Sequence, residues 1–296
     1  MKWQKYLFPT SIEEALAMLE EHQGQARVIA GGTDLIPQLK KKELWVQCLV
    51  DISRLDELKG IELEGDTIRI GAGVTHQQLS SSELIREKAT VLAEGASAVG
   101  SPQIRYMGTV GGNIVNAQPA ADTAIPLLAL EAEAEIASSR ETRLVPLENL
   151  HLRPGQSTVD ASAEILVALR FGALGDNQGS AFARLAKRKA LSLPILNAAV
   201  VVKLDGDGLA FEEARLALGP VALTPFRARR AEQALQGKAV EGEAIRSALE
   251  IAAQESQPRS NPLRGSREYR QDMARVLLKR ALERAVQIAR SAKPER

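Results

Sequence analysis

Val28-Ile29-Ala30-Gly31-Gly32-Thr33-Asp34-Leu35 runs a short apolar strand into a Gly-Gly turn, and Gly108-Thr109-Val110-Gly111-Gly112-Asn113 repeats the pair further along. Glycine reaches positive φ and carries no Cβ, so successive backbone N–H groups can converge on an anion. A buried strand leading into such a turn is a rigid platform for a phosphate. Two such turns, well separated in sequence, can grip one pyrophosphate from both sides. Thr33, Thr109, Asn113 and Asn116 add hydroxyl and amide hydrogen bonds, while Asp34 and Asp122, acceptors only when ionised, suit sugar hydroxyls. Either turn taken alone is as readily a sharp turn and nothing more.

A look-alike lies between them. Ile68-Arg69-Ile70-Gly71-Ala72-Gly73-Val74-Thr75-His76 also places Gly-x-Gly after a strand. The dinucleotide fingerprint of doubly wound folds wants a third glycine where His76 stands, so this segment does not supply that site.

The chain has 296 residues, room for two packed domains or one large one. Hydrophobic residues make up 45% and charged residues 25%, the balance of an ordinary globular protein. A net charge of +1 calls for neither nucleic acid nor an anionic membrane. Aromatics at 3% argue against a base-stacking platform. Cys48 is the single cysteine and there are three histidines. One thiol makes no internal disulfide and ligates no iron–sulfur cluster or structural zinc, which take about four ligands. Met1-Lys2-Trp3-Gln4-Lys5-Tyr6 lacks the apolar region of a signal peptide, and no window of about 20 residues is continuously apolar. The protein is expected in the cytoplasm, with no integral membrane segment.

Outward from the first turn the rhythm is β/α. Thr10-Ser11-Ile12-Glu13 is a capping box ahead of Ile12, Leu16 and Leu19 at helical spacing, and Gly24 is placed to stop that helix. Arg27 to Ala30 and Cys48 to Ile52 are short strands. From about Leu58 the texture changes: Ile61 to Ile70 alternates around Gly65-Asp66, a hairpin signal. Helices are predicted at Glu83 to Lys88 and Leu92 to Val99, with further strands at Glu133 to Ala137 and Glu164 to Leu169. Gly172 to Gly179 is the linker candidate. Ala198 to Leu204 and Phe211 to Leu218 pair around Asp205-Gly206-Asp207-Gly208. Beyond Pro225 the chain is mainly helical, ending on a stripe of Met273, Leu277, Ala281, Ala285 and Ile288. Arg264 to Arg296 carries ten Lys/Arg against four Asp/Glu, read as a solvated helix face with a partner contact as the sharper alternative.

The segment Val28 to Leu35, and the segment Ser101-Pro102-Gln103-Ile104-Arg105-Tyr106-Met107-Gly108-Thr109-Val110-Gly111-Gly112-Asn113-Ile114 running on to Pro119-Ala120-Ala121-Asp122-Thr123, resemble the two FAD signatures of a known family. It is the medium, FAD-binding subunit of molybdenum hydroxylases: carbon monoxide, nicotinate and bacterial xanthine dehydrogenases. Ala181 to Lys189 and Arg264 to Arg270 are similar to its C-terminal domain. The likeness covers nearly the whole chain.

The resemblance implies an α+β fold: a p-cresol methylhydroxylase-type FAD-binding domain over 1–174, with subdomains of about 1–57 and 58–174. A smaller C-terminal α+β domain over 178–296, a three-stranded antiparallel sheet with helices, would follow. It implies a cofactor site of Ile29, Ala30, Gly31, Gly32, Thr33, Asp34, Leu35, Ser101, Thr109, Val110, Gly111, Gly112, Asn113, Asn116, Asp122, Leu166 and Arg184. Asp122 would meet the ribityl chain and Leu166 the adenine or flavin. Arg184 stands where members usually carry a lysine, and arginine keeps the charge but changes the geometry. Ser192 stands where some members carry an aromatic. Some members hold an inserted iron–sulfur cluster, which Cys48 alone cannot. FAD is expected to be non-covalent. His76 is read as a surface or hydrogen-bonded residue, His22 and His151 as surface residues, and Cys48 as a core filler. A side chain at Gly32 or Gly111 is expected to crowd the phosphate.

The implied function is electron transfer. A molybdenum-cofactor large subunit would oxidise substrate, and a [2Fe–2S] small subunit would pass electrons to FAD for an acceptor such as NAD or a quinone. No catalytic residue and no metal are then expected on this chain. Two alternatives stand beside it: a stand-alone flavin oxidoreductase of the same fold, and a non-enzymatic nucleotide-binding or assembly protein.

Overall fold

A computed structural model describes residues 3–188, 190–262 and 264–292. Met1, Lys2 and Lys189, and the last charges of the basic segment at 293–296, lie outside the described residues.

The chain opens with β1 (Lys5–Leu7), α1 (Ile12–Glu21), β2 (Ala26–Ile29), α2 (Leu35–Lys41) and β3 (Cys48–Asp51). The strands form a parallel sheet in the order β1-β3-β2. Helix α1 is capped by Ser11, whose hydroxyl accepts from Glu14 N–H at 3.1 Å. The reciprocal acid is Glu14, not Glu13: its carboxylate accepts from Thr10 N–H and Thr10 Oγ1. The box therefore sits one residue later than the sequence motif placed it. Cys48 is fully buried in the core between this sheet and α1, as a small apolar filler.

Next come β4 (Ile61–Glu64) and β5 (Thr67–Gly71), paired antiparallel around the Gly65-Asp66 turn as its alternation predicts. A run of short helices follows: α3 (His76–Ser81), α4 (Glu83–Lys88), α5 (Thr90–Ser97), α6 (Pro102–Met107), α7 (Val110–Val115) and α8 (Ala124–Ala129). Thr75, Ser82, Ser101 and Thr109 explain why the run is chopped. Each hydroxyl accepts an N–H of the following turn and so restarts a helix. Then β6 (Glu133–Ser138), β7 (Thr142–Pro146) and, after the separate small pair β8 (His151–Arg153) and β9 (Gln156–Ser157), β10 (Glu164–Gly172) complete an antiparallel sheet ordered β4-β5-β10-β6-β7. Strand β10 faces two ways. Ile165 and Val167 pack toward the first sheet's core, while Leu166 and Leu169 pack toward the short helices. That double burial joins the first β/α unit to the second sheet.

The linker is shorter than Gly172 to Gly179, because β10 runs through Gly172 and β11 (Gln178–Ala186) starts at Gln178. Strands β12 (Pro194–Leu204), β13 (Phe211–Gly219) and β14 (Phe226–Arg227) continue an antiparallel sheet, so a fourth short strand extends the expected three. Phe182, Ala199, Val201 and Ala217 pack from one face onto the short helices. The other face is covered by α9 (Arg229–Leu235), α10 (Glu243–Glu255) and α11 (Arg267–Ser291). In α11 the buried stripe includes Arg270, Leu277, Leu278, Ala281, Leu282 and Ala285. Its basic residues are not all solvated. Arg270 is buried against the Pro220 and Arg259 carbonyls, Arg275 pairs with Glu250, and Arg284 pairs with Glu94 of α5.

Helix α11 crosses β11 at Gly179, where a Cβ would collide with the Ala285 carbonyl oxygen and lie 2.5 Å from Ala289 N. Gly179→Ala should therefore destabilise by about 1–3 kcal/mol through overpacking. Gly206→Ala, where a Cβ meets nothing within 4 Å, should be near neutral. Thermal melting of the two variants against the parent checks this.

Candidate functional site

The two Gly-Gly turns meet in space. A Cβ at Gly31 would collide with the Met107 carbonyl and lie 3.0 Å from Gly108 Cα, so the first turn rests directly on the backbone of the second. Gly32 has φ +67°, the left-handed conformation that glycine tolerates best. Among the described residues, no acceptor takes the amides of Gly31, Gly32, Thr33 or Asp34. These residues line a cleft whose empty volume, open mouth included, is about 1190 Å³.

The second turn works differently. Thr109 caps α7, its hydroxyl accepting from Gly112 N–H at 3.1 Å. The amides of Val110 and Gly111 are spent on the carbonyls of Val74 (2.8 Å) and Ala72 (2.9 Å). A Cβ at Gly111 would lie 2.6 Å from Ala72 Cβ, so this glycine serves backbone packing; the expectation that its side chain would crowd a phosphate is corrected. Gly112 is exposed, and a Cβ there meets only Thr109 Oγ1, at 3.0 Å. Thr123 Oγ1 donates to Asn113 Oδ1 at 2.8 Å, which leaves the Asn113 amide NH₂ free to donate into the cleft.

Of the expected site residues, Ile29, Ala30, Gly31, Gly32, Thr33, Asp34, Leu35, Thr109, Gly111, Gly112, Asn113, Asn116 and Leu166 all line this cleft. Ser101, Val110, Asp122 and Arg184 do not. Ser101 caps α6, and Val110 is fully buried in the core. Asp122 and Arg184 have found each other: Arg184 Nε donates to both Asp122 oxygens at 3.1 Å, and Asn197 Nδ2 donates to Oδ1 at 2.8 Å. Burial pushes the Asp122 carboxyl up to about 6, against the pull of Arg184 and Asn197. Arg184 also donates to the Ser192 carbonyl, so the pair ties the loop after β11 to the segment before α8.

Several cleft residues carry no sequence signal. The look-alike segment supplies a third wall: Ala72 and His76 line the cleft. Its glycines serve packing, since a Cβ at Gly71 or Gly73 would collide with the Leu58 carbonyl. Arg27 lines the cleft as a half-buried cation whose pKa burial lowers, offset by Asp160. Its place on the strand entering the first turn was the available clue. Burial raises the Asp34 pKa, offset by contacts with Thr33 and Asn116.

The histidines depart from expectation. His151 is buried at 7% exposure, its Nε2 lying 2.8 Å from the Ile114 carbonyl, because β8 folds back against α7. His76 is neither on the surface nor hydrogen-bonded through its ring: it is 2% exposed and Nδ1 has no partner. His22 is half-buried, with Nδ1 2.8 Å from the Met18 carbonyl.

Fold and cleft together define a class: an α+β protein outside the doubly wound type, with two glycine turns lining one cleft. Residues 2–172 match the family described as the FAD binding domain in molybdopterin dehydrogenase, and 181–285 the CO dehydrogenase flavoprotein C-terminal domain. The xanthine dehydrogenase FAD-binding subunit of Escherichia coli is 35% identical over 94% of each chain. The carbon monoxide dehydrogenase medium chain of Hydrogenophaga pseudoflava is 33% identical over 95% of this chain and 96% of its own. Among solved structures, reconstituted CO dehydrogenase from Oligotropha carboxidovorans superposes with a TM-score of 0.91 at 32% identity, covering 98% of this chain and 99% of that one. Quinoline 2-oxidoreductase from Pseudomonas putida 86 gives 0.89 at 28% identity, covering 98% and 99%. The chain belongs to the family of FAD-binding medium subunits of the CO, xanthine and nicotinate dehydrogenases, and is an oxidoreductase subunit. Among the described residues no helix is long and apolar enough to cross a membrane.

Two buried groups predict opposite pH effects. Burial, helped by the nearby Arg105 charge, lowers His76 to about 4, so the unfolded chain binds its proton first and stability is lost as pH falls from about 6.5 toward 4. Asp122, raised to about 6, is protonated first in the folded state and adds stability as pH falls from about 6 toward 4. Relative to the parent, His76→Gln should therefore hold its Tm better in acid, and Asp122→Asn should hold it worse. Melting curves between about pH 4 and 7 read both signs.

Proposed function

We propose that the cleft holds FAD non-covalently, with its pyrophosphate between the two glycine turns. The free amides of residues 31–34 facing α7 across one cleft carry this reading. Neutral N–H donors in a partly buried site stabilise phosphate oxygens strongly, because little water competes. Arg27 adds a donor beside the first turn and Asn113 one from α7 opposite. Leu166 and Val159 offer apolar surface for a ring. Cys48, sealed in the core, is not a candidate for a covalent link. Residues 1–174 form the cofactor unit in this reading and 178–296 the smaller domain covering it. Asp122 and Arg184, paired with each other, act on the cofactor only through the loop they hold.

The role we assign is that of an electron relay in a cytoplasmic molybdenum hydroxylase. Bound FAD supplies the exchange between one-electron and two-electron carriers. Partner [2Fe–2S] clusters are the donor, a molybdenum-cofactor subunit oxidises the substrate, and NAD or a quinone is the acceptor. A surface beside the cleft supports a partner. Ile104, Tyr106 and Met107 of α6 are exposed at 36%, 66% and 60%, and Leu191 and Leu193 at 61% and 69%. Leu191 N–H donates to the Gly100 carbonyl, which holds the two apolar groups side by side. Exposed apolar groups gathered this way mark protein contacts.

The purified chain should be yellow, and acid denaturation should release FAD. A colourless protein that takes up no FAD would overturn the reading. Gly112→Val should lose FAD while keeping its fold, since Gly112 is exposed on the cleft lining and a Cβ there meets only Thr109 Oγ1. Flavin content and Tm of that variant check the placement together. Tyr106→Ser with Met107→Ser should weaken recovery of molybdenum and iron–sulfur subunits from the native complex while flavin content stays normal.

A further inference from the structure

His76 is the least exposed polar side chain on the cleft wall. Its position is rigidly set. Thr75 and Gln78 form a complete capping box beneath it, with Thr75 N–H donating to Gln78 Oε1 at 2.9 Å and Gln78 N–H to Thr75 Oγ1 at 3.2 Å. Its own backbone N–H donates to the Gly108 carbonyl at 3.1 Å, which ties it to the second glycine turn.

The two ring nitrogens differ. Nδ1 is sealed inside the protein without a partner, whereas Nε2 is not among the sealed atoms. Cδ2, the carbon bonded to Nε2, lies 3.3 Å from where a Gly108 Cβ would be, and Thr33 Oγ1 lies 3.5 Å from the same point. The Cδ2–Nε2 edge thus faces the seam where the two turns meet. A proton on Nδ1 would be a buried N–H with no acceptor, while a proton on Nε2 can reach one in the cleft. The neutral ring therefore carries its proton on Nε2. Arg105 of α6 is the neighbouring charge and disfavours a second cation there, and Asp34 of the first turn lines the same cleft.

We propose that neutral His76 is a cofactor-anchoring residue, donating its Nε2–H to an anionic oxygen of the bound dinucleotide at the seam of the two turns. The proposal rests on the FAD reading of the cleft and adds a donor from a third segment. It also accounts for the orphaned Nδ1. That nitrogen holds a lone pair, and the hydrogen-bonding capacity of the ring is directed at the cofactor.

Three histidines in the chain make a direct test practical. The full chain, labelled with ¹⁵N-histidine and stripped of flavin, is titrated with FAD near neutral pH, and the His76→Gln spectrum assigns the resonances. The expected result is an Nε2–H tautomer for His76 and a shift of its Nε2 resonance on FAD addition, with His22 unmoved. Flavin fluorescence gives the affinities. His76→Phe should weaken FAD by roughly tenfold or more, the loss typical of a hydrogen bond to a charged group. His76→Gln, whose side-chain NH₂ can replace Nε2–H, should stay within roughly threefold of the parent. An Nδ1–H tautomer, or a His76 signal unmoved in protein that binds FAD, overturns the proposal and leaves the FAD reading intact. A parent chain that takes up no FAD overturns both. The tautomer and shift are read on the parent protein, so they decide the matter even if His76→Phe fails to fold.

Discussion

The close approach of Gly31 to the Met107–Gly108 backbone is the constraint on which the site depends. Any side chain there would push the first β/α unit away from the short helices and split one cleft into two unrelated turns. The same device recurs nearby. Gly111 rests on Ala72, and Gly71 and Gly73 rest on the Leu58 carbonyl. The end of β5 is thereby held between the first sheet's exit loop and the start of α7. Glycine costs conformational entropy on folding, roughly 0.5–1 kcal/mol relative to alanine in a regular element. The hydrogen bonds from Val110 to Val74 and from Gly111 to Ala72 form only because the backbones come this close, and they offset part of that cost.

Much of this was legible because its signals are local. A strand entering Gly-Gly, an alternating hairpin and a hydroxyl ahead of a helix are each written within a few residues, and the structure keeps all three. The third wall was not legible. His76 gains its meaning from Gly108 and Thr33, each more than thirty residues away, and the glycines beside it suggested a doubly wound fingerprint. Asp122 and Arg184 illustrate the same limit. Each is a plausible cofactor ligand alone, and only their meeting across 62 positions shows that the carboxylate is taken by the guanidinium. His151 failed for a related reason, since the short β8–β9 pair that buries it has no periodic pattern to read.

The cleft's electrostatics follow from burial. Asp34 is raised and Arg27 lowered by the same loss of water, so fixed charges are penalised on this wall while dipoles are strengthened. Backbone amides, threonine hydroxyls, the Asn113 amide and a neutral imidazole can all face an anion without the desolvation cost of a buried cation. This favours a site assembled from turn geometry over one assembled from lysines, and a net charge of +1 is compatible with such a site.

The Asp122–Arg184 pair extends this logic to the surface. Arg184 holds Asp122 with Nε and the Ser192 carbonyl with its other arm, so a buried ion pair sets the path of the loop bearing Leu191 and Leu193. Removing one partner of such a pair leaves an uncompensated buried charge, typically a loss of about 3–5 kcal/mol. The loop therefore cannot be repositioned without disturbing the core. Arginine suits this place because its rigid planar fork holds a carboxylate and a carbonyl in fixed relative geometry, where a lysine would offer one flexible point charge. Arg184, expected at the cofactor, braces the loop that bears the apolar face beside the cleft.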